Sequence, residues 1–120
     1  MTSGTVASLL LDTDVLIDHL RGHTRLRTSS HVVHVSVVTR CELFAGTSAT
    51  AVIGTLLEPF RELPVDRAVA ERAGRIRRET GIRTSDALIA ATAIEHRLGL
   101  VTRNAKDFER VRGLRIRQLS

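Results

Sequence analysis

The strongest constraint on this chain is a strand that runs directly into a helix, twice in succession. The apolar run from Val6 to Leu11 stops at Asp12, and Asp14 to Leu20 follows with helical spacing and with Thr13 or Asp12 at its cap. After a polar, Arg-containing connection from Arg21 to Ser30, His31 to Val35 reads as a second strand. Ser36 then caps a helix from Val37 to Ala45, closed by Gly46. Ala49 to Leu57 is helical up to the break at Pro59, and Arg61 to Val65 is a weaker strand interrupted by Pro64. Asp66 caps a charged helix to Glu79 that ends at Gly81. Ser85 caps another, from Asp86 to Leu98, that ends at Gly99. A short strand (Leu100 to Thr102), a short helix (Asn104 to Val111) and a final strand (Leu114 to Leu119) complete the chain. Alternation of this kind predicts an α/β three-layer sandwich with a mainly parallel central sheet. Such sheets place their ligands at the carboxyl ends of the strands.

At 120 residues the chain supports one core, so residues 1–120 are expected to form a single domain, with 1–6 flexible. No apolar run approaches the ~20 residues that span a bilayer, and the segment before Ser8 carries no Lys or Arg. A soluble, cytoplasmic protein without a membrane partner is expected. Cys41, the single cysteine, cannot form an intrachain disulfide and reads as a small buried hydrophobe on its helix. The formal charge of +5 comes from 17 Arg and one Lys against 13 acids, a balance that suits a polyanionic partner. Only Phe44, Phe60 and Phe108 are aromatic, which excludes a base-stacking platform; a nucleic acid would be held by its phosphates.

Four acids fall where the strand-end rule points. Asp12 closes the first strand. Glu42 shares the apolar flank of its helix with Val38 and Ala45. Asp86 heads a stripe made by Ile89, Ala90 and Ala93, at a helix N-terminus whose dipole favours an anion. Asp107 follows the last inner strand, beside Asn104. Acids converging on one pocket resist ionisation unless a cation neutralises them, and an oxygen-only donor set suits a hard ion, Mg²⁺ or Mn²⁺. Read separately, Asp12 and Asp86 could instead be simple helix caps. The five histidines, His19, His23, His31, His34 and His96, lack Zn²⁺-ligand spacing and read as surface or loop residues.

Together these segments resemble the PIN-domain family, and within it the VapC-type toxin ribonucleases of prokaryotic toxin–antitoxin pairs. Leu10-Leu11-Asp12-Thr13-Asp14-Val15-Leu16-Ile17-Asp18 looks like the family's first motif and Ser36-Val37-Val38-Thr39-Arg40-Cys41-Glu42-Leu43 like its second. Thr84-Ser85-Asp86-Ala87-Leu88-Ile89-Ala90-Ala91 looks like the third, and Leu100-Val101-Thr102-Arg103-Asn104-Ala105-Lys106-Asp107-Phe108 like the fourth. The similarity runs from Leu9 to Leu119. It implies a PIN-like sandwich and Mg²⁺-dependent endonucleolytic cleavage of RNA by metal-activated water, leaving a 5′-phosphate and a 3′-hydroxyl, with Mn²⁺ able to substitute. It implies that Asp12 and Asp86 hold the principal metal, that Glu42 completes its shell or orients water, and that Asp107 supports a second ion if one binds. Some relatives carry a third Asp where this chain has Asn104, so the fourth ligand is Asn104 or Asp107. Asp14 stands where many relatives have Ser or Asn; it and Thr13 are supporting residues. Arg40 and Arg103 are candidate phosphate clamps, whereas Arg72, Arg75, Arg77 and Arg78 read as a solvated helix face. The resemblance also implies a small cognate antitoxin and a homodimer.

Two rivals remain open at this point. Asp12-Thr13-Asp14 after an apolar strand is similar to the nucleophile loop of haloacid-dehalogenase-like phosphatases, but Leu16 departs from that pattern and the only Lys, Lys106, sits in a PIN-like context. The other is a catalytically weak PIN-like module that binds RNA or a protein.

Overall fold

The computed structural model describes residues 7–22 and 31–118. The expectation of a flexible 1–6 segment and most of the Arg21 to Ser30 connection lie outside them. Five strands, β1 (Ser8–Leu11), β2 (Val32–Ser36), β3 (Arg61–Leu63), β4 (Gly99–Val101) and β5 (Ile116–Arg117), form one sheet in the order β3-β2-β1-β4-β5. Every neighbouring pair is parallel, as the alternation predicts. β1 is central, with Leu10 opposite His34 on one side and Leu100 on the other.

Period-two alternation along β1 divides the core. Leu10 packs with Val69, Ala73 and Ile76 of α4 (Arg67–Thr80) and with the buried stripe of α5 (Thr84–Glu95). Leu9 and Leu11 pack on the other face with Val15 and Leu16 of α1 (Thr13–Leu20), Leu43 of α2 (Val37–Phe44), and Ile53 and Leu57 of α3 (Thr50–Leu57). Helices thus cover both faces, giving the three-layer α/β architecture. No helix among the described residues is long and apolar enough to cross a membrane.

The helix signals hold at most ends. Ser36 accepts from the Val38 N–H, Asp66 accepts from the Val69 N–H, and Gly81 ends α4 with a left-handed φ of 74° that a Cβ would resist. Elsewhere the structure corrects the sequence reading. Helix α5 begins one residue before Ser85, with Arg83 at the N-cap and no capping side chain. It ends at Glu95, where Arg97 takes the positive φ of 56°, so Gly99 is not its terminator. Gly99 is instead required inside β4, because a Cβ there would run into the Arg117 side chain. Residues Asn104 to Val111 contain only a 3₁₀ turn, Ala105–Phe108, and the last strand is two residues long. Cys41 is exposed, since α2 turns Thr39 and Leu43 inward. His34 lies in β2, half-buried, with Nδ1 3.2 Å from the Leu9 carbonyl.

Candidate functional site: a strand-end cluster of carboxylates

Asp12 continues the β1–β4 ladder by one step, its N–H donating to the Val101 carbonyl at 2.9 Å, and this fixes its side chain at the carboxyl end of the central strand. Its Oδ1 accepts from the Thr13 N–H and its Oδ2 from the Thr102 hydroxyl, each at 2.8 Å. Asp12 is only 6% exposed, and its pKa is pushed up to about 7. Burial is the main cause, and the neighbouring charges of Asp14 and, more weakly, Asp86 add to it. The hydrogen bonds from Thr102 and Thr13 act in the opposite direction.

Thr13 opens α1 and links two helices. Its hydroxyl donates to Glu42 Oε1 at 2.6 Å and lies 2.9 Å from the Thr39 hydroxyl. A hydroxyl has one proton, so Thr39, fully buried on α2, must be the donor in the second contact. Glu42 is thereby held by a residue next to Asp12. At the next residue of α1, Asp14 Oδ2 accepts from the Asn104 side-chain amide at 2.6 Å, and Asp14 Oδ1 is buried without a hydrogen-bond partner. Burial raises the Asp14 pKa, against the Arg103 and Val15 backbone N–H groups and the Arg103 charge. Asp86, in the first turn of α5, is also raised by burial; Arg83 lowers it, and Glu42, Asp107 and Asp14 raise it further.

One cavity of about 310 Å³ gathers Asp12, Thr13, Asp14, Glu42, Asp86, Asn104 and Asp107, with Ile17, Arg83 and Phe108 completing its walls. Each candidate ligand and supporting residue read from the sequence therefore reaches one place. The two candidate clamps do not line it. Arg40 Nε pairs with Glu62 Oε2 at 2.5 Å, and Arg103 Nη1 pairs with Asp18 Oδ1 at 2.7 Å, bracing α1 beside the site. The sequence reading missed Thr39, Thr102 and Arg83. Signals for them existed: Thr102 follows β4 as Asp12 follows β1, and Thr39 and Arg83 each stand three residues before a cavity acid.

The donor set is all oxygen, and three of its acids have pKa values raised by burial, a cost that a bound cation would relieve. The buried, unpartnered Asp14 Oδ1 fits the same need. Among the described residues, no three His, Cys, Asp or Glu side chains stand close enough to enclose an ion as they are. An open set of this kind suits Mg²⁺, which keeps several waters and takes few protein ligands, better than an ion that requires a closed cage.

Fold and site define an α/β domain in which carboxylates from the end of β1, from α1, α2 and α5, and from the 3₁₀ turn meet in one cavity at the carboxyl edge of a parallel sheet. Residues 9–114 match the family model of the PIN domain, and the chain belongs to the PIN-domain family. It is 38% identical over 113 residues to ribonuclease VapC10 of Mycobacterium tuberculosis, covering 83% of this chain and 85% of that protein. It is 31% identical over 129 residues to ribonuclease VapC1 of Rickettsia felis, covering 93% and 96%. Among solved structures it is similar to the DNA-bound VapBC of Salmonella typhimurium, with a TM-score of 0.75, 28% identity and coverage of 97% of this chain and 100% of that one.

Proposed function

We propose that this chain is a Mg²⁺-dependent endoribonuclease and the toxin of a type II toxin–antitoxin pair. The observation that carries the reading is the cavity in which Asp12, Asp14, Glu42, Asp86 and Asp107 meet at the carboxyl end of the sheet. The relatives named ribonuclease VapC support RNA as substrate, and the VapBC complexes support a cognate antitoxin. A homodimer, a cytoplasmic setting and tolerance of Mn²⁺ belong to the same proposal.

Asp12 and Asp86 would hold the principal ion, with Asp107 or Asn104 as the further ligand. When bound, Mg²⁺ supplies an activated water and neutralises charge on the phosphate. The remaining work falls to the chain. Thr102 and the Thr13 N–H fix the Asp12 carboxylate in one orientation. The Thr13 hydroxyl holds Glu42 Oε1, leaving Oε2 to orient the attacking water. Asn104 and the Arg103–Asp18 pair set the position of α1, and with it Asp14.

The open spacing of the carboxylates favours one alternative, a PIN-like module that binds RNA or a protein without cutting. Incubating antitoxin-free protein and its Asp86→Asn variant with total RNA, in Mg²⁺ or EDTA, and sequencing new 5′ ends distinguishes the two. Discrete cuts that require both Mg²⁺ and Asp86 are expected. RNA binding with no Mg²⁺-dependent cut would establish the alternative.

A further inference from the structure

The acidic cavity cannot by itself hold a polyanion. Five carboxylates line it, and Arg83 is the one cation among its described lining residues. The backbone phosphates on either side of the one being cut must therefore find positive charge at the rim.

The rim is asymmetric. Beside the acidic cavity lies a second one of about 450 Å³, between the α4–α5 junction and the 3₁₀ turn. The two adjoin, with Arg83, Asp86 and Asp107 lining both. The second cavity adds Lys106 and Arg110 and only one further acid, Glu109. On the opposite flank a cavity of about 110 Å³ shares Glu42 and offers Arg21 as the single cation among its described lining residues. Among the described lining residues, the larger space and the greater number of cations lie on the same side.

Several other cations near the sheet ends are already committed. Arg40 pairs with Glu62, Arg72 with Glu95, and Arg103 with Asp18. Arg110 is anchored through Nη2, which donates to the Thr80 carbonyl at 2.5 Å. Arg83 and Lys106 are exposed and form no ion pair among the described residues. Lys106 is the chain's only lysine.

From this we infer that the RNA strand leaves the acidic cavity across the α5 and 3₁₀-turn flank, where Arg83 and Lys106 hold the phosphate next to the one being cut. The inference rests on the ribonuclease reading. Arg83 bridges the two cavities and meets the phosphate with a planar fork, while Lys106 adds a mobile point charge from the far wall. Both act by positioning the strand, so their removal is read first in how tightly RNA is held.

The test uses the whole chain, its Arg83→Gln/Lys106→Gln variant, and an Arg75→Gln/Arg78→Gln variant that removes the same charge from the solvated face of α4. Binding of a dye-labelled, mixed-sequence single-stranded oligoribonucleotide is read by anisotropy in EDTA across a salt series, and cleavage of total RNA in Mg²⁺ is followed in parallel. The Arg83/Lys106 variant should bind about tenfold more weakly, with a salt slope shallower by about 0.7 for each phosphate no longer neutralised. It should cut the same positions with KM raised, while the Arg75/Arg78 variant should match the parent. Arg83→Lys should recover part of the affinity, because it restores charge without the fork. Equal weakening in the two double variants, or parent-like affinity and slope in the Arg83/Lys106 variant, would overturn the track while leaving the nuclease intact. Absence of Mg²⁺-dependent cuts by the parent would instead remove the reading beneath it.

Discussion

The two faces of the sheet are built differently. On one, α4 runs for 14 residues and packs along α5 more extensively than any other pair of helices. The contact is close because α5 presents Ala87, Ala90, Ala91 and Ala93, all fully buried, and small side chains let backbones approach. On the other face, three helices of eight residues each cover larger branched side chains. They leave a gap of about 530 Å³ bordered by His19, Leu20, Val52 and Leu56, and Phe44 and Val52 are about half exposed. The acidic site straddles this divide. Asp86 rides on the well-packed α5, whereas Asp14 and Glu42 ride on short helices held in place by side-chain hydrogen bonds. Packing supports one half of the site and polar contacts support the other.

The largest effects should come from the carboxylates that join the halves. Asp12→Asn and Asp86→Asn are each expected to reduce Mg²⁺-dependent RNA cleavage to background in the end-mapping assay, with melting temperatures at or above the parent's. A folded variant of either kind with parental cleavage would sever the site from the proposed chemistry.

The two cores should differ next. Ile89→Ala on α5 is expected to cost about 4 kcal/mol in urea unfolding, because its tightly packed surroundings cannot collapse around the void. Ile53→Ala on α3 should cost about 2–3 kcal/mol. Equal costs would break the comparison between the faces.

Stability should also depend on pH in a particular direction. The Asp12 carboxyl has a pKa of about 7 in the folded chain against an ordinary value of 3.8, so the folded state binds the extra proton. Metal-free stability should therefore be highest below pH ~4, decline as pH rises through about 7, and level off above it, a change on the order of a few kcal/mol. Denaturant melts in EDTA check this. Asp12→Asn or saturating Mg²⁺ should flatten the decline, and a rise in stability over the same range would contradict the buried-acid account.

Removing the polar brace alone should act more gently. Thr13→Val deletes the hydroxyl that serves Glu42 and leaves Thr39 without its partner. It is expected to cost about 1–2 kcal/mol in stability. In a cycle with Glu42→Gln the reductions in cleavage should be non-additive, as for residues acting through one contact. The smallest effect belongs to the open gap, where Val52→Lys should shift monomer stability by no more than about 0.5 kcal/mol.

Local chemistry explains which of these features could be read in the sequence. Ser36, Asp66 and Gly81 announce helix ends because a cap is satisfied within a few residues of itself. The start of α5 is different: Thr84, Ser85 and Asp86 are all cap-like, and only tertiary packing places the boundary at Arg83. Gly99 carries a real signal with a distant cause, the Arg117 side chain of the neighbouring strand. The acids were legible because carboxylates at strand ends and on apolar helix flanks are costly without a purpose. The hydroxyls of Thr39 and Thr102 left only a positional signal, since a threonine is ordinary until its partner is known. Arg40 and Arg103 looked like clamps from proximity in sequence, but side-chain direction gave them to Glu62 and Asp18.

The bonds that shape the acidic cavity span great lengths of chain. Thr102 reaches Asp12 and Asn104 reaches Asp14 across 90 positions, and Arg103 reaches Asp18 across 85. Closing loops of that length is a late event in folding, because the entropy must be met before the contact forms. A nascent chain still threading the ribosome carries Glu42 with its Thr13 partner, but Asp12 and Asp14 without Thr102 and Asn104, the distant groups that orient them. The full set of carboxylates is oriented only when the segment carrying Thr102 and Asn104 has emerged, so a product that stops before it keeps most of the acids without their final arrangement.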